Sequence, residues 1–120
     1  MSRPNTVIIP AYRPDERLIR LTAEVLAQGY AVVVIDDGSG EAYAPVFDGL
    51  DSRVTVLRHE KNRGKGAGIK TGLSYVQEEN SKTPDPFEQI RFVCIMDADG
   101  QHLPTDMDKV MAPPRRTPAG

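Results

Sequence analysis

Cysteine is almost missing from this chain: Cys94 stands alone among 120 residues, so no internal disulfide can brace the fold. Its place within Phe92-Val93-Cys94-Ile95-Met96 marks a buried, inert thiol. Long apolar runs are missing too. No stretch approaches the roughly 20 residues a membrane-spanning helix needs, and the N-terminus lacks the basic, then apolar, then small-residue succession of a secretory signal. A cytoplasmic location is therefore expected, with any membrane association arising only through parts outside these residues. Nor is there an excess of positive charge. Fifteen Lys and Arg against 17 Asp and Glu leave a net charge of −2, which argues against general nucleic-acid binding. No internal repeat of solenoid length is present.

What remains is the composition of an ordinary globular domain, 39% hydrophobic and 27% charged, at a length that suits one compact unit. Thr6-Val7-Ile8-Ile9 is a β-branched run ended by Pro10, and from Asp15 the apolar positions Leu18, Leu21, Val25 and Leu26 fall at helical spacing before Gly29. Ala31-Val32-Val33-Val34-Ile35 is apolar on both faces, as a central parallel strand requires, and stops at Asp36-Asp37-Gly38-Ser39-Gly40. A short helix over 41–50 in spite of Pro45, a third strand over 54–57, and a helix with Ile69, Leu73 and Val76 on its buried face follow. After a polar connection over 80–89, residues 90–96 form a fourth strand, and 105–111 a last short helix. Alternating strands and helices predict an α/β fold, with a parallel sheet, right-handed crossovers and helices on both faces. Residues 4–111 are expected to make the domain, and the proline-rich 112–120 a disordered tail.

Every chemically suggestive cluster follows the end of a predicted strand, where open parallel sheets bind ligands. Asp97, Asp99 and Gln101 alternate after the fourth strand and could turn three oxygen donors toward one hard divalent cation, or else form a polar turn with capping aspartates. His102 is a ligand, a catalytic group or a hydrogen-bonded loop residue. Asp36 and Asp37, beside flexible glycines, offer acceptors for a base or a ribose, or good turn chemistry. Asn62-Arg63-Gly64-Lys65-Gly66-Ala67-Gly68 joins a glycine-rich turn to a helix start and suits a phosphate, unless its cations are merely solvated. It fits neither a P-loop nor a dinucleotide fingerprint, because the last glycine of either pattern is missing. Pro10-Ala11-Tyr12 places an aromatic against a nucleobase or against the sheet edge. His59 reads as a strand-end residue without a catalytic task.

Taken together, Val7-Ile8-Ile9-Pro10-Ala11-Tyr12, Val34-Ile35-Asp36-Asp37-Gly38-Ser39, Asn62-Arg63-Gly64-Lys65-Gly66 and Met96-Asp97-Ala98-Asp99-Gly100-Gln101-His102 resemble the successive blocks of family 2 glycosyltransferases. The fold of that family is GT-A, and the branch most resembled is that of the dolichol-phosphate and polyprenol-phosphate sugar synthases. The resemblance implies that Pro10, Tyr12 and Asp37 hold the nucleoside with Asp36 in support, that Lys65 lies near the diphosphate, and that Asp97, Asp99 and Gln101 surround Mg2+ or Mn2+, with Asp97 also in the donor site. The implied reaction is inverting transfer of a sugar from a UDP-, GDP- or dTDP-sugar to an acceptor, a polyprenyl phosphate in that branch. An acceptor of that kind is already anionic and needs no strong general base; a sugar hydroxyl would need one.

Two departures qualify the resemblance. Arg13-Pro14 stands where Asn-Glu often follows the tyrosine, which leaves the donor base open. The matching blocks end soon after Asp97, so the acceptor half and any catalytic base are expected beyond Gly120. The chain by itself is expected to bind donor weakly and to transfer little or no sugar. Self-association through an exposed sheet edge is expected as well. The alternative is a noncatalytic nucleotide-binding or interaction module of the same fold. A nucleotidyltransferase would carry a glycine-rich, arginine-bearing loop after the first strand, which Pro10-Ala11-Tyr12-Arg13-Pro14 is not.

Overall fold

The computed structural model describes residues 5–85, 89–90 and 92–98. Its elements are β1 (Thr6–Ala11), α1 (Arg17–Ala27), β2 (Ala31–Asp37), a single 3-10 turn (Glu41–Tyr43), α2 (Ala44–Asp48), β3 (Thr55–His59), α3 (Lys65–Ser81) and β4 (Val93–Ile95). The predicted helix over 105–111 and the tail over 112–120 lie outside the described residues. The sheet is parallel throughout, in the order β3-β2-β1-β4. From β1 the chain steps outward to β2 and β3, then crosses back to place β4 on the other side of β1. That reversal opens a crevice between the carboxyl ends of β1 and β4.

The two-residue period of the strands sorts their side chains between two apolar layers. Val7, Ile9 and Ala11 of β1, with Val32 and Val34 of β2, pack against Leu18, Leu21 and Val25 of α1 and Phe47 of α2. Ile8, Val33 and Ile35 face the other way, toward Val76 of α3. Cys94 is buried in the first layer, and burial pushes its thiol pKa up, as suits an inert side chain. Among the described residues no helix is long and apolar enough to cross a membrane.

Sequence expectations are corrected at several points. The third strand, expected over 54–57, is Thr55–His59, and the fourth, expected over 90–96, is Val93–Ile95. Pro10 does not end the first strand, which continues to Ala11 with Pro10 opposite Ile35 of β2. Pairing with β4 stops at Ile8, whose carbonyl accepts from the Met96 N–H at 3.0 Å. Pro10 shares Ile8's parity, so its missing N–H falls on a side where the ladder has already finished. The expected helix over 41–50 splits into the 3-10 turn and α2, and Pro45 is accommodated in the first turn of α2, where no intrahelical donor is lost. Of the expected buried face of α3, Ile69, Leu73 and Val76, only Val76 is buried. Leu73 is 42% exposed, and the helix seats itself through Gly68, Gly72 and Val76.

Glycine sets the distance between α3 and the sheet. A Cβ on Gly72 would lie 2.6 Å from Ile8 Cγ2 and 3.1 Å from Ile35 Cδ1, and one on Gly68 would lie 3.1 Å from Pro10 Cβ. Gly72→Val is therefore expected to lower stability by about 1–3 kcal/mol through overpacking. A urea-denaturation midpoint unchanged from wild type would show that the helix does not approach the sheet this closely.

Candidate functional site

The crevice between β1 and β4 is a cavity of about 390 Å³ lined by Pro10, Ala11, Tyr12, Asp37, Asn62, Gly64, Lys65, Asp97 and Ala98. Five of the six proposed donor-site residues thus come together from three strand ends and the start of α3. Tyr12 follows β1 and is 46% exposed, with the Arg13 guanidinium 5.0 Å from its ring centroid. Lys65, the first residue of α3, reaches across to Asp97 after β4, and their Nζ and Oδ1 atoms are 2.6 Å apart. The start of α3 adds positive character. Its N-cap is Gly64 at φ 96°, with no side-chain cap and no acidic residue in the first turn, so the free backbone donors and the helix dipole favour an anion there.

Asp36 is the sixth. Consecutive strand residues point to opposite faces, and Asp36 accordingly lines a separate depression with Ser39, Gly40 and Arg58. Its carboxylate accepts from the Ser39 N–H at 3.0 Å and lies 3.5 Å from Arg58 Nε. Ser39 Oγ in turn accepts from the Arg13 N–H at 2.8 Å. Arg13 holds φ 52°, an unusual conformation for a side-chain-bearing residue that this bond helps to retain. Asp36 is therefore connected to the cleft only at one remove, through Ser39 and the backbone next to Tyr12.

Asp37 is the hub of the site. It is only 3% exposed, yet four donors meet its two oxygens. His59 Nδ1 at 2.7 Å and the Arg63 N–H at 2.8 Å converge on Oδ1, while the Gly64 N–H at 2.9 Å and Asn62 Nδ2 at 3.2 Å reach Oδ2. Burial alone would raise its pKa, but the hydrogen bonds from His59, Arg63 and Gly64 outweigh it and hold the carboxyl below its ordinary 3.8. The backbone of Gly38 touches the same turn, since a Cβ there would lie 2.3 Å from Asn62 N. None of this is visible in the one-dimensional pattern. The sequence marks His59 as a strand-end residue and Asn62 as part of a glycine-rich turn, and only the parallel register that sets Asp37 beside His59 makes them partners.

Asp99, Gln101 and His102 lie outside the described residues. Of the proposed metal ligands Asp97 is the one described, and among the described residues no three His, Cys, Asp or Glu side chains cluster to hold an ion. A second groove, of about 400 Å³, runs along the outer flank of α3 between Leu57, Lys70 and Tyr75 and contains none of the proposed site residues.

This cleft, at the topological switch of a parallel sheet and charged on both walls, belongs to a chain whose residues 6–120 match Glycosyl transferase family 2. The chain belongs to that family. Its α/β architecture is accordingly of the GT-A, Rossmann-like type. Among curated proteins, the family 2 chain is 31% identical over 108 residues to an uncharacterized protein of Methanocaldococcus jannaschii, covering 89% of this chain and 40% of that one. It is 27% identical over 123 residues to the UDP-N-acetylglucosamine--dolichyl-phosphate N-acetylglucosaminyltransferase of Methanococcus voltae, covering 89% and 45%. It is 30% identical over 121 residues to the dolichyl-phosphate beta-glucosyltransferase of Drosophila melanogaster, covering 88% and 33%. The family 2 chain thus spans less than half the length of these relatives.

Proposed function

We propose that this chain forms the donor-binding part of an inverting, metal-dependent glycosyltransferase that moves a sugar from a nucleoside diphosphate to a polyprenyl phosphate. The observation that carries the reading is the Lys65–Asp97 pair across the crevice: a cation at a helix N-terminus faces a carboxylate at the end of the neighbouring strand. Two opposite charges 2.6 Å apart, with side chains 61% and 28% exposed, contribute only about 0–1 kcal/mol by themselves. They separate at little cost when each finds a stronger partner. Lys65 would then be free to hold the diphosphate, and Asp97, with Asp99 and Gln101, would hold Mg2+ or Mn2+. Carboxylate and amide oxygens are the donors such hard cations take, and the bound ion would offset charge on the departing diphosphate.

Tyr12 and Pro10 are assigned to the nucleoside, with Asp37 at the floor and Asp36 bracing the turn through Ser39. In the transfer itself an oxygen of the acceptor phosphate bonds to the anomeric carbon as the bond from that carbon to the donor diphosphate breaks, inverting the centre. The acceptor oxygen is already anionic, so no strong base is required. The dolichyl-phosphate acceptors named for two relatives support this acceptor class, which would act at the cytoplasmic face of a membrane.

The test is calorimetric titration of GDP, UDP and dTDP with and without Mn2+. Asp97→Asn and Lys65→Ala are each expected to weaken the preferred nucleotide about 10- to 100-fold, the loss of one charge-assisted contact. For Asp97→Asn the manganese dependence is expected to shrink as well. Affinity indifferent to manganese and to both substitutions would remove the cleft from consideration.

A further inference from the structure

We infer that His59 and Thr71 are positioning residues for the donor cleft, fixing the turn over 62–64 through Asp37. The inference rests on the donor-site reading above. His59 closes β3 directly beside Asp37 of β2, and the two side chains are only 5% and 4% exposed. Its Nδ1 meets Asp37 Oδ1 at 2.7 Å, and its Nε2 meets Thr71 Oγ1, in the second turn of α3, at 2.7 Å. Both ring nitrogens are thus engaged, and His59 does not line the cleft. Its part in the site is indirect.

The chain of contacts runs from helix to loop. Thr71 orients the imidazole, the imidazole orients the Asp37 carboxylate, and the carboxylate holds the Arg63 and Gly64 N–H groups and the Asn62 side chain. A carboxylate offers about four lone-pair sites, and four donors occupy them, so its rotation is fixed. The next residue is Lys65, whose Nζ spans the crevice to Asp97. A carboxylate free to rotate would release the turn and blur the position of Lys65 and of the first donors of α3. These are the groups assigned to the diphosphate, so positioning should matter more for a diphosphate than for a monophosphate.

The test combines amide hydrogen exchange at Arg63 and Gly64 with titration of the preferred nucleoside diphosphate and its monophosphate in the presence of Mn2+. Thr71→Val deletes the hydroxyl at nearly constant volume, Thr71→Ser restores it, His59→Leu removes both ring contacts, and His59→Asn keeps a donor toward Asp37. Thr71→Val and His59→Leu are expected to speed exchange at both amides and to weaken the diphosphate about three- to tenfold, the equivalent of one hydrogen bond. The monophosphate should be affected less, Thr71→Ser should stay close to wild type, and His59→Asn, which keeps a donor toward Asp37 but loses Thr71, should weaken the diphosphate no more than Thr71→Val does. Should His59→Leu fail to fold, the Val and Ser pair at position 71 decides. Diphosphate affinity equal in all variants would overturn the positioning role while leaving the donor site standing. An equal loss for both nucleotides, or unchanged exchange, would also overturn it. No nucleotide binding by the wild-type chain would overturn the donor site, and the positioning role with it.

Discussion

Asp37→Ala is expected to lower the stability of the chain by about 3 kcal/mol, because it strands a buried imidazole N–H together with two backbone donors, and each buried donor left without an acceptor costs about 1–3 kcal/mol. The backbone pair is only partly buried, which keeps the total toward the lower end of that sum. Asp37→Asn should cost less, since one oxygen still accepts while the amide group opposes the remaining donors. Against the roughly 5–15 kcal/mol that holds a domain of this kind together, either change is visible in a urea-denaturation midpoint. The pH dependence has a definite sign. The folded state holds this carboxyl below its ordinary 3.8, so the contribution is fully present above that value and is lost as pH falls through the lower, folded-state pKa. Wild type should therefore weaken in acid, and Asp37→Asn should lack that part of the slope. Equal midpoints and parallel pH profiles for the two proteins would mean that the turn over 62–64 is not held by this carboxylate.

Gly38→Ala is expected to be as damaging for a different reason. Gly38 sits at φ +73°, where a side chain costs about 1–3 kcal/mol. Its added Cβ would also meet main-chain atoms, Asn62 N at 2.3 Å and Lys61 C at 2.4 Å, which cannot rotate away as a flexible side chain can. Overpacking adds about 1–3 kcal/mol, and the only relief is to push the turn off Asp37. Stability and nucleoside diphosphate affinity should fall together. Gly40→Ala is the control: its φ is +92°, but nothing lies within 4 Å of the added atom, so only the backbone term applies. Similar midpoints and affinities for the two variants would show that the close approach at Gly38 carries no weight.

Where burial follows a simple period, the chain is transparent. Residues 31–35 are continuously apolar, and the structure seats them as the central strand between β1 and β3. Leu18, Leu21 and Val25 fall at helical spacing, and all three are buried in α1. α3 is less transparent because its sheet-facing stripe is made of Gly68 and Gly72, which hydrophobic periodicity does not register. Leu73 drew the reading instead and lies exposed. Proline misled for a related reason: whether Pro10 ends a strand depends on which neighbour its nitrogen would have faced, and that is a property of the sheet.

For the site, the sequence by itself determined that the candidate residues stand at or near strand ends, because the apolar runs of a parallel sheet give way to polar residues close to each end, and that the blocks are those of a family 2 glycosyltransferase. The strand order, which makes the ends of β1 and β4 the two walls of one cleft, was decided by the tertiary structure. So were the separation of Asp36 from Asp37 onto opposite faces, the closing of Lys65 on Asp97, and the conversion of His59 from a strand-end residue into the prop behind Asp37. Each depends on contacts between residues 22 to 32 positions apart in the chain or on the orientation of a side chain within a paired strand. Local propensity carries no information about either, because packing of the whole sheet sets both.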